Sequence, residues 1–307
     1  MRTEIDRRKF LEVMAGAAYL GAGFPKTIYS LPGTPKPDVT LRISHVEIEI
    51  APGQIVKTTG YNGSGPGPVL RLQEGKPVTI DVYNDTDDPE LVHWHGLSIS
   101  SSVDGAGEEG TPFVPPHGSR RYSFVPRPHG NRWYHTHAHA GMELKRGNYS
   151  GQFGNLYVEP RSEPGRYDAE VFLALHGWNA AFSTDAGEND VDDGPEITYS
   201  RFSMNSHSLG FGEPVRVTEG QKVIFRILNA SATRSHRLSF PGHRFTIVAL
   251  DGNPVPVQQT VDVVELGPAE RVDAVVTMNQ PGVWTLGETD SQMRNSGMGI
   301  VVEYANR

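Results

Sequence analysis

The sequence predicts an all-β protein built from two tandem β-sandwiches. Three observations carry this. Apolar and polar residues alternate through most apolar segments after residue 40, the period-two pattern of a half-buried strand. Glycine and proline, 34 and 23 among 307 residues, gather between those segments as turn signals. A Glu-Gly turn, a buried strand and an asparagine recur once in each half of the chain. They read Leu72-Gln73-Glu74-Gly75-Lys76-Pro77-Val78 with Asn84, and Val217-Thr218-Glu219-Gly220-Gln221-Lys222-Val223 with Asn229. Two copies of one sandwich explain that repeat most simply.

Residues 1–30 stand apart from the fold. Asp6-Arg7-Arg8-Lys9-Phe10-Leu11 precedes a mildly apolar stretch, Val13 to Phe24, rich in Gly and Ala. Paired arginines before a weak apolar segment resemble a twin-arginine export signal; a disordered basic tail is the alternative. The expected location is periplasmic or secreted. Residues 2–26 carry a net charge of +2, so their removal takes the chain from −8 to −10. This acidity argues against nucleic acid or an anionic membrane surface as partner. No later run is long and apolar enough to span a bilayer. No cysteine follows the signal to carry a lipid anchor.

The first sandwich is expected over residues 38–162. Leu41 to Ile50, Val78 to Tyr83, Arg121 to Val125 and Asn155 to Val158 read as strands. Tyr61-Asn62-Gly63, Gly65-Pro66-Gly67-Pro68 and Pro115-Pro116-His117-Gly118 are the turns between them. The polar segment Glu159 to Gly165 ends this block. The second sandwich is expected over 165–307, with strands at Val171 to Leu175, Val215 to Val217, Lys222 to Leu228, Arg244 to Leu250, Val261 to Leu266, Arg271 to Thr277 and Gly299 to Tyr304. The acidic segment 183–196 reads as an exposed loop.

Five of the twelve histidines fall in two short arrays, His93-Trp94-His95-Gly96 and Trp133-Tyr134-His135-Thr136-His137-Ala138-His139. In a strand, residues two apart share a face, roughly 6.6 Å apart along it. His93 and His95 therefore share a face, as do His135, His137 and His139. Two adjacent strands of this kind can converge four imidazoles, and neutral imidazole suits copper and zinc. His139 lies about 13 Å along the strand from His135, so both reach one ion only if the chain bends after His137. A packed, metal-free face is the alternative. The absence of cysteine removes disulfides, thiolate ligands and cysteine nucleophiles.

These residues resemble the first cupredoxin domain of multicopper oxidases: His93-Trp94-His95-Gly96-Leu97, Asp104-Gly105, Trp133 to His137, and Gly151-Gln152-Phe153-Gly154-Asn155-Leu156-Tyr157-Val158. The second block is similar to another cupredoxin domain of that family, through Arg226-Ile227-Leu228-Asn229-Ala230-Ser231, Gly242-His243-Arg244-Phe245-Thr246, Asp251-Gly252 and Gly267-Pro268-Ala269-Glu270-Arg271-Val272-Asp273. The resemblance implies copper as cofactor and His93, His95, His135 and His137 as cluster ligands. The departures lie in the second block. His236 to His243 keeps the frame of a copper motif with Ser239 and Pro241 where two ligands would stand. Gly287, Glu288 and Thr289 replace the family's His-Cys-His, and Met293 replaces a later histidine. Blue copper is excluded, because this chain has no thiolate for its Cu–S bond. Laccase activity is not carried over.

Several further residues have two readings. His139 and Met142 are extra ligand candidates, although Met142 reads better as packing. His176, His207, His236 and His243 read as hydrogen-bonded structural histidines; His176 or His207 could also complete a neighbouring subunit's site. Asp104 suits either an acceptor that orients water or an imidazole or a turn before Gly105. The first functional expectation is an exported copper-dependent oxidoreductase acting on a small-molecule or metal-ion substrate, with dioxygen as a possible partner. The alternatives are a non-catalytic copper-binding or copper-handling protein and a metal-free cupredoxin scaffold. Two-domain relatives form closed trimers with the cluster between subunits, so the resemblance implies a homotrimer.

Overall fold

A computed structural model describes residues 35–162, 165, 167–183 and 196–305. The expected export signal, residues 1–30, and nearly all of the acidic loop lie outside them. In the first half the strands are β1 (Val39–Ala51), β2 (Gln54–Tyr61), β3 (Leu70–Gln73), β4 (Val78–Asn84), β5 (Val92–His95), β6 (Ser119–Phe124), β7 (Gly130–Thr136) and β8 (Phe153–Glu159). They form two four-stranded sheets, ordered β2-β1-β4-β6 and β3-β8-β7-β5.

The second half contributes β9 (Ala169–Phe182), β10 (Ile197–Met204), β11 (Val215–Val217), β12 (Lys222–Asn229), β13 (His236–Ser239), β14 (Phe245–Leu250), β15 (Asn253–Val261), β16 (Val263–Leu266), β17 (Arg271–Thr277), β18 (Val283–Glu288) and β19 (Gly299–Tyr304). Their sheets run β10-β9-β12-β17-β14-β15 and β11-β19-β18-β13-β16. The order of the first half recurs with three strands added. Each sheet carries one parallel pair at a corresponding place: β1 with β4 and β3 with β8, then β9 with β12 and β11 with β19. The expectation of two tandem cupredoxin-like sandwiches is met, and both lie in the compact unit Pro37–Arg307.

The repeated sequence motif has a structural cause. Gly75 and Gly220 turn the chain with φ of 76° and 86°, a region open to glycine. The strand after each turn ends on a fully buried asparagine. Asn84 donates to the carbonyl of Asp88 at 2.7 Å and accepts from the amide of Thr86 at 2.9 Å. Asn229 donates to the carbonyl of Arg234 at 2.8 Å and accepts from the amide of Ser231 at 3.0 Å. Each asparagine ties down the loop that leads into a short strand, β5 or β13. An unpaired buried amide would cost about 1–3 kcal/mol, so these bonds fix the loops.

Each sandwich has its own core. Leu41, Ile43, Ile80, Val82, Trp94, Tyr122 and Tyr134 fill the first; Leu173, Phe225, Ile227, Leu238, Phe240, Val276 and Leu286 fill the second. A third cluster joins Ile50, Val56, Trp133 and Phe153 to Ala174, Trp178, Leu228 and Ala230 across the seam. This explains a break in β1. Its buried residues are Leu41 and Ile43, then Val46 and Ile50, so the phase shifts by one residue midway. The first pair faces the sandwich core and Ile50 faces the seam. Strand β9 also exceeds its expected length, because its far end pairs with β10, from Ile197↔Phe182 to Met204↔Leu175.

Candidate metal centre

Strands β5 and β7 pair antiparallel, with His93 opposite His135, Trp94 opposite Tyr134 and His95 opposite Trp133. Alternation sends Trp94 and Tyr134 into the core, where both are fully buried. Tyr134 donates its hydroxyl to the carbonyl of Pro68 at 2.7 Å. The histidines are thereby forced to the opposite face. His93 has its ring centroid 5.3 Å from those of His95 and His135 and 5.2 Å from that of His137. His93, His95 and His135 each offer a nitrogen within 4.8 Å of the others. Three of the five expected residues thus form the tightest set, with His137 at its edge. The chain leaves the strand after Thr136, and His139 lies exposed on the loop beyond. Met142 is on the same loop, 76% exposed, and is not a packing residue.

Hydrogen bonds orient the rings. His93 Nδ1 lies 2.9 Å from the carbonyl of Asp104 and 3.2 Å from its carboxylate, which leaves Nε2 for the cluster. Both expected roles of Asp104 are therefore met, since it also ends the short helix Ser101–Asp104. Gly105 must follow, because a Cβ there would sit 2.0 Å from the carbonyl oxygen of Val92. His135 Nδ1 is 2.8 Å from the carbonyl of Thr136 and 3.2 Å from Asn148 Oδ1, so Nε2 presents a lone pair. That nitrogen meets His95 Nδ1 at 3.3 Å.

Burial, then the charges of its neighbours, holds His135 well below the usual histidine range. Burial, then Arg271, His93, His137 and Arg132, pushes His95 down to about 3. Both rings are neutral at physiological pH, the form that binds metal. The Nδ1 of His137 is buried with no hydrogen-bond partner. Glu108 Oε1 lies 3.6 Å from it, beyond hydrogen-bond reach. Convergent imidazoles with a ring nitrogen that makes no hydrogen bond fit a copper or zinc ion. Trp133 stacks on His135 at 4.0 Å and closes the inner side.

One residue escaped the sequence reading. Glu90, 5% exposed, accepts from Thr136 Oγ1 at 2.9 Å and from Gln152 Nε2 at 3.1 Å. It grips the array from behind, between His135 and His137. Burial raises its carboxyl above the ordinary range, against those two hydrogen bonds. Its only sequence signal is a charged residue just before the buried run Leu91-Val92.

The corresponding strands of the second sandwich, β13 and β18, hold no such face. His236, fully buried, has Nδ1 3.1 Å from Glu288 Oε2 and Nε2 3.0 Å from Ser231 Oγ. Glu288 also accepts from the amides of Arg237 and Thr289, each at 3.0 Å. Burial pushes the Glu288 carboxyl up, but these hydrogen bonds outweigh it and leave it below the ordinary value. Both nitrogens of His236 are thus spoken for. His243 bonds the Tyr304 hydroxyl at 2.6 Å and stacks on Phe240. His176 bonds the carbonyl of Ala230 at 2.9 Å. His207 packs edge-on against Phe211.

Two family models described as multicopper oxidase match residues 42–163 and 133–302. Multicopper oxidase MmcO of Mycobacterium tuberculosis is 31% identical over 73% of this chain and 49% of its own. A copper resistance protein A homolog of Pseudomonas syringae pv. tomato is 27% identical over 90% of this chain and 54% of its own. The chain spans about half the length of these curated relatives. Among solved structures, the blue copper oxidase from Nitrosomonas europaea superposes with a TM-score of 0.74 at 26% identity, covering 87% of this chain and 85% of that one. The histidine face on a cupredoxin-like frame is therefore no isolated likeness: the chain belongs to the multicopper oxidase family, whose cofactor is copper.

Proposed function

We propose that the protein is an exported copper-dependent oxidoreductase whose copper is held by His93, His95, His135 and His137, without blue copper. The observation that carries this reading is the approach of His95 Nδ1 to His135 Nε2, 3.3 Å apart on imidazoles that burial keeps neutral. Copper bound by imidazole nitrogens supplies one-electron chemistry, cycling between Cu(I) and Cu(II). Around it, Asp104 fixes the ring of His93, and Thr136 with Asn148 fixes that of His135. Trp133 excludes water from the inner side. His93 and His137, 18% and 31% exposed, form the edge where a phenol, a metal ion or dioxygen would arrive.

The copper-holding domain is residues 38–162, and 165–307 form a second domain with degenerate copper motifs. A closed homotrimer, with the second domain of one subunit over the histidine face of the next, would enclose the exposed loop of His139 and Met142. Export by the twin-arginine route to the periplasm fits the basic leader. Among the described residues, no helix is long and apolar enough to cross a membrane. Relatives named for copper resistance favour a second reading, copper handling without turnover.

The test is metal content with electron paramagnetic resonance of the copper-loaded chain, followed by oxygen uptake with phenolic, Fe(II) and Cu(I) substrates. Bound copper, no intense blue absorption and oxygen uptake support the oxidase. Bound copper without oxygen uptake leaves the copper-handling reading, and no bound copper removes both. Light scattering that gives the mass of one chain at micromolar concentration would remove the trimer.

A further inference from the structure

Two buried arginines lie against the turn that follows His95. Arg132 is in β7, three residues before His135, and Arg271 opens β17 in the second sandwich. They are only 2% and 4% exposed. A Cβ on Gly96 would stand 3.0 Å from Arg271 Nη2, 3.1 Å from Arg132 Cδ and 3.4 Å from Arg132 Nη1. Both guanidiniums therefore pack on the backbone next to a candidate ligand.

Their hydrogen bonds go almost wholly to neutral acceptors. Arg132 Nη1 and Arg271 Nη2 share the carbonyl of Asp251, at 2.5 and 3.3 Å. Arg132 also donates to the carbonyls of His129 and Gly252 and to Asn253 Oδ1. Arg271 donates to the carbonyl of Ala269 at 2.7 Å. Neither Nε has a hydrogen-bond partner. The carboxylate of Asp251 pairs with Arg271, 3.1 Å from Nη1, and its side chain is 49% exposed. Buried Asp273 is nearby, but Arg226 and Asn131 hold its two oxygens. The two buried positive charges thus face the half-solvated Asp251 carboxylate first, with Asp273 and, for Arg271, Glu270 as further negative neighbours. Water and salt screen the Asp251 carboxylate more than they screen the arginines.

We propose that Arg132 and Arg271 set the oxidation-state preference of copper at the histidine array, favouring Cu(I) over Cu(II). A fixed positive charge in a low-dielectric site opposes a dication more than a monocation. The ligand-poor second sandwich then contributes to the site through charge, since Arg271 is its residue. The inference rests on the histidine array being the copper site.

The experiment compares Cu(I) and Cu(II) dissociation constants of the full chain, by competition with chelators selective for each ion. Arg271→Gln should lower the preference for Cu(I) at least about tenfold, while Arg271→Lys keeps the charge and stays within about threefold of wild type. A tenfold change corresponds to 59 mV in a one-electron couple. Asp251→Asn removes the opposing charge at a solvent-facing position and should shift the preference several-fold toward Cu(I). That variant keeps Oδ1 for the Arg271 amide, so it remains informative if Arg271→Gln fails to fold. An unchanged ratio in folded Asp251→Asn, or in folded Arg271→Gln, overturns the proposal. A wild-type chain that takes up no stoichiometric copper overturns the copper site itself, and the proposal with it.

Discussion

Two buried glutamates stand at corresponding ends of the two sandwiches and do opposite things. Glu90 lies behind the first histidine array and bonds Thr136 and Gln152, not the imidazoles, so His95 Nδ1 and His135 Nε2 face one another. Glu288 lies within the second motif and takes the imidazole of His236 for itself. Burial dominates the first carboxyl and raises it; hydrogen bonds from His236, Arg237 and Thr289 dominate the second and lower it. The contrast separates a site from a scaffold. A binding face keeps its donors unsatisfied by protein and supports them from outside, whereas a closed pair satisfies every donor and gains stability.

The largest effect should come from the open face. His95→Ala with His135→Ala removes two of the three nitrogens in the tightest set. Stoichiometric copper binding should disappear, read by metal analysis after loading and desalting. Unchanged metal content would sink the assignment. The mirror experiment is Glu288→Ala. It leaves His236 Nδ1 and the Arg237 amide without their acceptor, in a His236–Glu288 pair whose side chains are 0–1% exposed, and should cost about 3–5 kcal/mol in denaturant unfolding. Copper content of that variant should stay at the wild-type level. Loss of copper there, or a neutral effect on stability, would erase the distinction between the two regions.

A pH series sharpens the same comparison for metal-free protein. His176 is buried against Phe153 and Trp178, and desolvation pushes it down to about 4. The fold holds it neutral, while the unfolded chain takes up a proton below about pH 6.5. The unfolded state binds more protons between those values, so stability falls as pH drops from about 6.5 to 4 and is fully present above. One such group costs roughly 1.4 kcal/mol per pH unit, about 3 kcal/mol across the window. His95 and His135 add to the acid loss until copper occupies them. His176→Phe isolates one histidine: relative to wild type it should gain about 3 kcal/mol between pH 7 and pH 4. A pH-independent difference would show that His176 titrates normally.

Much of this was legible in the chain. Alternation and the repeated Glu-Gly turn foretell paired sandwiches, and the spacing of His93, His95 and His135 foretells their shared face. Other features are set by tertiary contacts and leave no local mark. The phase break in β1 follows from Ile50 meeting residues of β9 and β12, more than a hundred positions away. Glu288 could be read as a replaced copper ligand and His236 as a structural histidine, but not their pairing, which with Ser231 occupies both nitrogens of the ring. The arginine pair is invisible for the same reason: Arg132 and Arg271 meet only because Asp251 and Gly252 bring the second sandwich against β7.

Glu90 gives the smallest of these effects and the finest test of what an open face requires. Its carboxylate receives the Thr136 hydroxyl at 2.9 Å, and Thr136 Oγ1 in turn accepts from the amide of Ala138 at 3.1 Å. This short chain of bonds fixes the point where the backbone leaves β7, and so where His137 stands relative to His135. Outer partners of this kind are worth about 10–100-fold in metal affinity. Glu90→Ala should therefore weaken copper binding by that factor while the number of ions bound stays the same. Thr136→Val, which cuts the bond from the other side and leaves the carboxylate in place, should reproduce the loss. Placing both changes in one chain should add little to the loss of affinity, because the Glu90–Thr136 bond is common to both. Additive losses, or wild-type affinity in either folded single variant, would mean that the array holds its own geometry and that Glu90, like Glu288, serves the fold.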